Sequence, residues 1–309
     1  MKPTIKLSRK NKNFHVSTGG GEGIFLDNER IMTSSTVSNP NLFINGDFRV
    51  NQRGETTYTS SSKYSYTVDR FRVVGVGSVG VSESGLDCVL TSQYANLSYI
   101  FEDSDSAKFA GKQVTLSFSV ENLIGSLTIK IRQLATNITL KTFTTNGLHY
   151  MTVTLPNSLE NFDIHFENNN TTETSFRLNW AKLELGGIAT PISPRNYAEE
   201  LLLCQRYYLK VIDSSYKSTG CGFISTETRA FIMVSTPTTL RTKPTVSWSQ
   251  LTLLVKSGAY KVLTSLAVSC FVSNAITINV EATGLTAGDC GLIATSGAVG
   301  KLAFDAEIY

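Results

Sequence analysis

The chain has 309 residues, enough for two compact domains plus short extra segments, each able to bury a core without disulfide or metal staples. Charged residues make up 17%, below the ~25% usual for globular chains, and the net charge of +3 is too small to draw the protein to nucleic acid. Cys88, Cys204, Cys221, Cys270 and Cys290 are odd in number and lack CxxC or metal spacing, which excludes complete internal pairing and reads as reduced small hydrophobes.

Residues 1–39 have the least globular pattern. Lys2, Lys6, Arg9, Lys10 and Lys12 make a basic arm without an acidic residue, and Gly19-Gly20-Gly21-Glu22-Gly23 reads as a flexible linker. That run lacks the GK[ST] ending of a phosphate loop. One short strand is expected at Ile24-Phe25-Leu26. The segment reads as an attachment arm that needs a partner to cover its apolar side chains. The opening MKPTIKLSRKNKNF has no apolar core of a signal peptide, and no run reaches the ~18 apolar residues of a membrane span, so no membrane insertion is expected.

Residues 40–190 carry strand periodicity. Val114, Leu116, Phe118 and Val120 alternate with polar residues, as do Leu127, Ile129 and Ile131, then Phe162, Ile164 and Phe166. Phe176, Leu178 and Trp180 keep the same parity, after which Ala181, Leu183 and Leu185 carry the apolar side. That change predicts a bulge near Trp180, with the indole assigned to the core. Short strands joined by Gly/Asn/Ser turns predict an antiparallel sandwich. Residues 191–212 predict one connecting α-helix: Ser193 as N-cap, Pro194 at the first position, and Tyr197, Leu201, Cys204 and Tyr208 on one face. Residues 213–309 return to strands and predict a second, smaller β-sandwich.

Four ordered motifs carry a resemblance. Asn41-Leu42-Phe43-Ile44-Asn45-Gly46-Asp47-Phe48-Arg49-Val50-Asn51-Gln52-Arg53-Gly54 resembles the opening of many phage tail-fibre domains, and Tyr66-Thr67-Val68-Asp69-Arg70-Phe71 the element that follows. Trp180 to Gly186, with Ala189-Thr190-Pro191 and Pro194-Arg195, is similar to the closing strand and connector. Tyr197 to Leu201 and Cys204-Gln205-Arg206-Tyr207-Tyr208 match the terminal helix. Pro237 to Pro244 is similar to a turn in the C-terminal domain of such fibres. The resemblance implies a jelly roll of the carbohydrate-binding-module type on a phage virion, assembled in the bacterial cytoplasm and usually as a homotrimer. The arm would then meet other tail proteins, and 213–309 would be the receptor-binding domain facing host surface polysaccharide. Phe71 replaces the family's usual Trp.

Chemistry of other kinds finds little footing. His15, His149 and His165 sit in no HExxH or nucleophile-elbow pattern. Glu102, Asp103 and Asp105 are acids that a glycosidase could use, but a solvated loop cluster is the plainer reading. Asn45 and Asp47 offer oxygens to a structural Ca²⁺, against which stands a self-capped turn. No catalytic residue, metal or cofactor is therefore expected. Sugar rings stack on exposed aromatic faces, which nominates Trp248 in its polar frame, Tyr260 after an apparent turn, and Tyr58, Tyr64 and Tyr66 beside a Ser/Thr-rich loop. Adhesion through these residues is the favoured function. A structural fibre adaptor without glycan binding is the alternative.

Overall fold

A computed structural model describes residues 38–134 and 136–308, together with the backbone of four strands before them. Those four, β1 (Thr4–Arg9), β2 (Lys12–Ser17), β3 (Gly23–Leu26) and β4 (Glu29–Thr33), pair in sequence order as one antiparallel sheet. The expectation of a single strand here was too sparse. Thr4 to Arg9 alternates polar and apolar residues, and the register sets Ile5 opposite Val16 and Leu7 opposite Phe14. The glycine-rich run at 18–22 and the Ser/Thr run at 34–37 lie outside the described residues.

The middle of the chain is a sandwich of two six-stranded antiparallel sheets. Its strands are β5 (Thr57–Ser60), β6 (Tyr64–Tyr66), β7 (Phe71–Val74), β8 (Gly77–Ser82), β9 (Gly85–Leu90), β10 (Asn96–Ile100), β11 (Gln113–Ile124), β12 (Leu127–Gln133), β13 (Thr136–Phe143), β14 (Gly147–Thr154), β15 (Phe162–Asn168) and β16 (Thr174–Leu185). One sheet runs β13-β12-β15-β10-β7-β6 and the other β14-β11-β16-β9-β8-β5, and the strands switch sheets repeatedly in jelly-roll fashion. Alternation explains the core. Val114, Leu116, Phe118 and Val120 from one sheet meet Leu127, Ile129, Ile131, Ile164 and Phe166 from the other, all fully buried. At one end Phe43, Phe71, Tyr99 and Phe101 pack ring against ring.

Among the described residues two helices form instead of one. α1 (Asp103–Phe109) takes up the acidic segment read as loop: Asp103 and Asp105 occupy its first turn, where the positive end of the helix favours them, and Phe109 anchors it. α2 (Tyr197–Gln205) is the anticipated connector, but it starts later. Asn196, not Ser193, is the N-cap, accepting from the Ala198 N–H at 2.9 Å. Its buried residues are Glu200 and Cys204, whereas Tyr197 is half-exposed and Tyr208 belongs to the next strand.

The last third comprises β17 (Tyr208–Ile212), β18 (Ser218–Thr226), β19 (Arg229–Ser235), β20 (Thr245–Ser249), β21 (Thr252–Val255), β22 (Tyr260–Val272), β23 (Ala275–Ala282), β24 (Cys290–Ala294) and β25 (Lys301–Asp305). It is antiparallel β structure with its own core, as expected. The second sandwich is realised as a six-stranded barrel, β18-β19-β23-β22-β21-β24, beside a three-stranded sheet, β17-β25-β20. Closure comes from β24, which pairs with both β18 and β21 and so removes both edges. Gly222 permits the tight β18–β19 approach, since a Cβ there would stand 1.8 Å from the Phe231 carbonyl oxygen.

Candidate functional site: the Trp180 groove

The parity change in β16 is a real bulge, and its position decides where the indole goes. Ser119 on β11 pairs with Trp180, but the next residue, Val120, pairs with Leu178. Asn179 is the extra residue, and its amide donates to Glu121 at 2.9 Å. The insertion lies before Trp180, not after it. Leu178 and Ala181 therefore both face the core, and Trp180 joins Lys182 and Glu184 on the outer face. The assignment of Trp180 to the core was incorrect; the residue is half-buried.

The indole lines a groove of about 550 Å³ with Ser117, Leu148 and the segment Ala189 to Ile192. Leu148 and Tyr150 lie on the same face of β14, 64% and 61% exposed, opposite Ser119 and Ser117. Side chains this apolar are unusual on a solvated sheet face unless something docks there.

The groove's far wall is the chain that follows β16, folded back as a strap over its own strand. Lys182 and Glu184 have no exposed side-chain surface and stand 3.2 Å apart. Lys182 Nζ donates to Thr190 Oγ1 at 2.7 Å and to the Pro191 carbonyl at 2.9 Å. Glu184 accepts from the Thr190 N–H at 2.8 Å and from its hydroxyl at 2.5 Å. A buried ion pair whose remaining donors and acceptors are satisfied fixes one geometry. Both Glu184 oxygens are thus engaged in holding the strap. An aromatic face, aliphatic walls and a few fixed polar groups form the surface on which the C–H face of a pyranose ring stacks.

The nominated residues do not converge. Tyr58 and Tyr66 are buried: the Tyr66 hydroxyl donates to the Ile308 carbonyl, and the Tyr58 hydroxyl donates to Asn51 and is pushed up to about 12 by burial. Tyr64, on the other sheet, is 38% exposed with the Arg72 guanidinium 5.0 Å above its ring. Trp248 on β20 is half-buried against the second core, and Tyr260 on the barrel strand β22 is 48% exposed. The bulge was the sequence signal that could have found Trp180.

The other candidates have structural partners. Asn45, at φ 60°, donates to the carbonyls of Val50 and Asp69 and accepts from the Val50 N–H, so it caps a turn. Asp47 pairs with Arg49 at 2.8 Å. Burial opposes ionisation of Glu102, yet hydrogen bonds from Arg206 and Tyr207 hold its carboxyl below the usual range. Asp103 accepts from the Asn161 N–H, and Asp105 pairs with Lys108. His149 contacts the Thr145 carbonyl at 2.7 Å, and the side chain of His15 lies outside the described residues. Among the described residues, no group of three His, Cys, Asp or Glu side chains is placed to hold a metal, and no helix is long and apolar enough to cross a membrane.

The residues of the tail-fibre-like motifs meet elsewhere, at the junction between sandwich and C-terminal region. Gln52 donates to Asp69 and to the Tyr208 carbonyl, both at 2.6 Å. Arg53 stacks on Tyr208 at 4.0 Å and lies 3.6 Å from Glu307. Arg70, fully buried, pairs with Glu307, stacks on Tyr207 at 3.5 Å and donates to the Ile100 carbonyl at 2.7 Å.

Neither a protein-family model nor a curated protein sequence matches the chain. Among solved structures, it is similar to the N-terminal CBM22-1–CBM22-2 tandem domain of Xyn10C from Paenibacillus barcinonensis at 9% identity and a TM-score of 0.30, over 89% of this chain and 99% of that one. The β-sandwich class stands on the strand order and packing described above.

Proposed function

We propose that the protein is a non-enzymatic adhesin that binds glycan through the outer face of its jelly roll, as a phage tail-fibre component. The observation that carries this is the bulge at Asn179, which turns a tryptophan out of the core into a groove whose wall is pinned by Lys182 and Glu184. Folding alone gains nothing from exposing an indole, and preformed aromatic grooves are the usual binding surfaces for sugars. The tail-fibre setting rests on the four motifs. In that setting the arm at 1–39 docks on tail proteins, and three copies around an axis convert weak single-site binding into avidity.

A glycan array of bacterial surface polysaccharides is the direct test. Binding is expected with the full chain and is expected to fall about tenfold or more with Trp180→Ala, a loss of at least ~1.4 kcal/mol. No binding on any array, or equal binding by the variant, contradicts the proposal. A second reading, a rigid adaptor without glycan affinity, is supported by the buried Arg70–Glu307 junction, which couples the two halves. It predicts an empty array together with retention of the protein on tail particles.

A further inference from the structure

The opposite sheet carries a second concave face that the Trp180 groove does not use. Its outer surface is polar from strand to strand. Register places Arg72, Ser98, His165 and Lys130 side by side across β7, β10, β15 and β12, and Val74, Asn96, Glu167 and Thr128 in the adjacent row. Of these, Val74, Asn96, His165, Lys130 and Glu167 line a cavity of about 410 Å³ together with Arg132, flanked by Tyr94, which is 57% exposed.

The charges are layered. Glu167 and His165 lie deep, with 3% and 6% of their side chains exposed, while Lys130 and Arg132 reach outward at 14% and 20%. Lys130 pairs with Glu167 and also stands 5.3 Å from the Tyr94 ring centre. Arg132 Nη1 faces His165 Nδ1 at 3.2 Å, so that nitrogen accepts, and Nε2 donates to Asp163 at 2.9 Å. Of the residues that line the cavity, two are cations (Lys130, Arg132) and one is a carboxylate (Glu167), so the lining is net positive with its anion deepest; Asp163, 3.8 Å from Arg132, lies outside the lining. Asn96 Oδ1 is buried without a hydrogen-bond partner among the described residues, whereas Arg132 Nε and Asp163 Oδ1 stand 3.8 Å apart as an ion pair. Buried orphans of this kind are few in a folded protein and call for an explanation.

We propose that this face is a second saccharide site, selective for sugars bearing a carboxylate, and that it works independently of the Trp180 groove. It shares with the proposed function only the class of ligand, not the residues. The carboxylate meets the Lys130 and Arg132 side, where charge-assisted hydrogen bonds are strongest. The sugar ring lies against Tyr94, and its hydroxyls meet Asn96. A neutral sugar gains nothing from the outer cations.

The test is titration of the full chain with a set of uronate- and sialate-bearing oligosaccharides and with their neutral counterparts. Three variants are compared: Trp180→Ala, Tyr94→Asn and Arg132→Gln. Asn suits the left-handed backbone at position 94, φ 69°, while removing the ring. At least one acidic member is expected to bind, about tenfold more weakly to Tyr94→Asn or to Arg132→Gln, and equally well to Trp180→Ala. If acidic sugars lose affinity in Trp180→Ala and not in the other two, this inference fails while the groove proposal stands. If Tyr94→Asn loses acidic-sugar binding and Trp180→Ala loses nothing, the inference holds and the groove proposal fails. No acidic sugar bound by the native chain overturns the inference outright.

Discussion

Asp69 bears most of the chemistry at the junction. Burial pushes its carboxyl up to about 6, partly offset by Arg53 and by hydrogen bonds from Gln52. The folded state therefore holds this proton more tightly than the unfolded chain, for which 3.8 applies. Stability from this group is fully present below 3.8 and is lost as pH rises through about 6. The shift corresponds to about 3 kcal/mol. A carbon-detected NMR titration should find the Asp69 carboxyl changing state near pH 6; a midpoint near 4 would contradict the burial argument. Phe71 fits the same residue-scale logic. It stands in T-shaped contact with Phe48 and Tyr99, so packing alone occupies the position where the resembling family has an indole.

Individual strands follow alternation wherever a strand is regular. Val114 to Val120 and Phe162 to Phe166 could be placed from spacing because every second residue is apolar and every such residue is buried. Trp180 could not be placed, because a bulge between Leu178 and Ala181 leaves two positions for the extra residue, and only pairing with Ser119 chooses one. The groove's wall depended equally on contacts that spacing cannot reveal. Lys182 and Glu184 read as ordinary outward charges on a strand, yet both are buried by the strap. Lys182→Met leaves the Glu184 carboxylate buried without its cation, for a loss of about 3 kcal/mol. Urea unfolding should detect that loss, and glycan affinity should fall with it as Thr190 and Pro191 come free. Unchanged stability would mean the ion pair does not hold the strap.

At the scale of the molecule, the residues that best distinguished the sequence are those that join its parts. The N-G-D-F, D-R-F and Q-R-Y-Y segments lie far apart along the chain, and Arg70 reaches Glu307 across 237 positions. Neither the identity of Glu307 as the shared partner nor the coupling it produces is visible without the fold. Arg53, Arg70 and Asp69 would each read as surface charges by composition. Glu307→Gln removes the anion that balances two buried guanidinium groups, at a cost of roughly 3–5 kcal/mol. Calorimetry of the native chain should give one cooperative transition over residues 38–308. The variant should melt earlier, with the barrel transition separating from that of the sandwich. Coincident transitions in both proteins would show that Glu307 does not couple them.

Stacking of a sugar on Trp180 is directly accessible to fluorescence, because the chain has two tryptophans. In a Trp248→Phe protein the only indole is Trp180. Adding the best glycan from the array should shift its emission to shorter wavelength and shield it from iodide quenching, with the same midpoint as binding measured by calorimetry. An emission spectrum and quenching rate that stay constant while the glycan binds would place the sugar elsewhere and contradict the account.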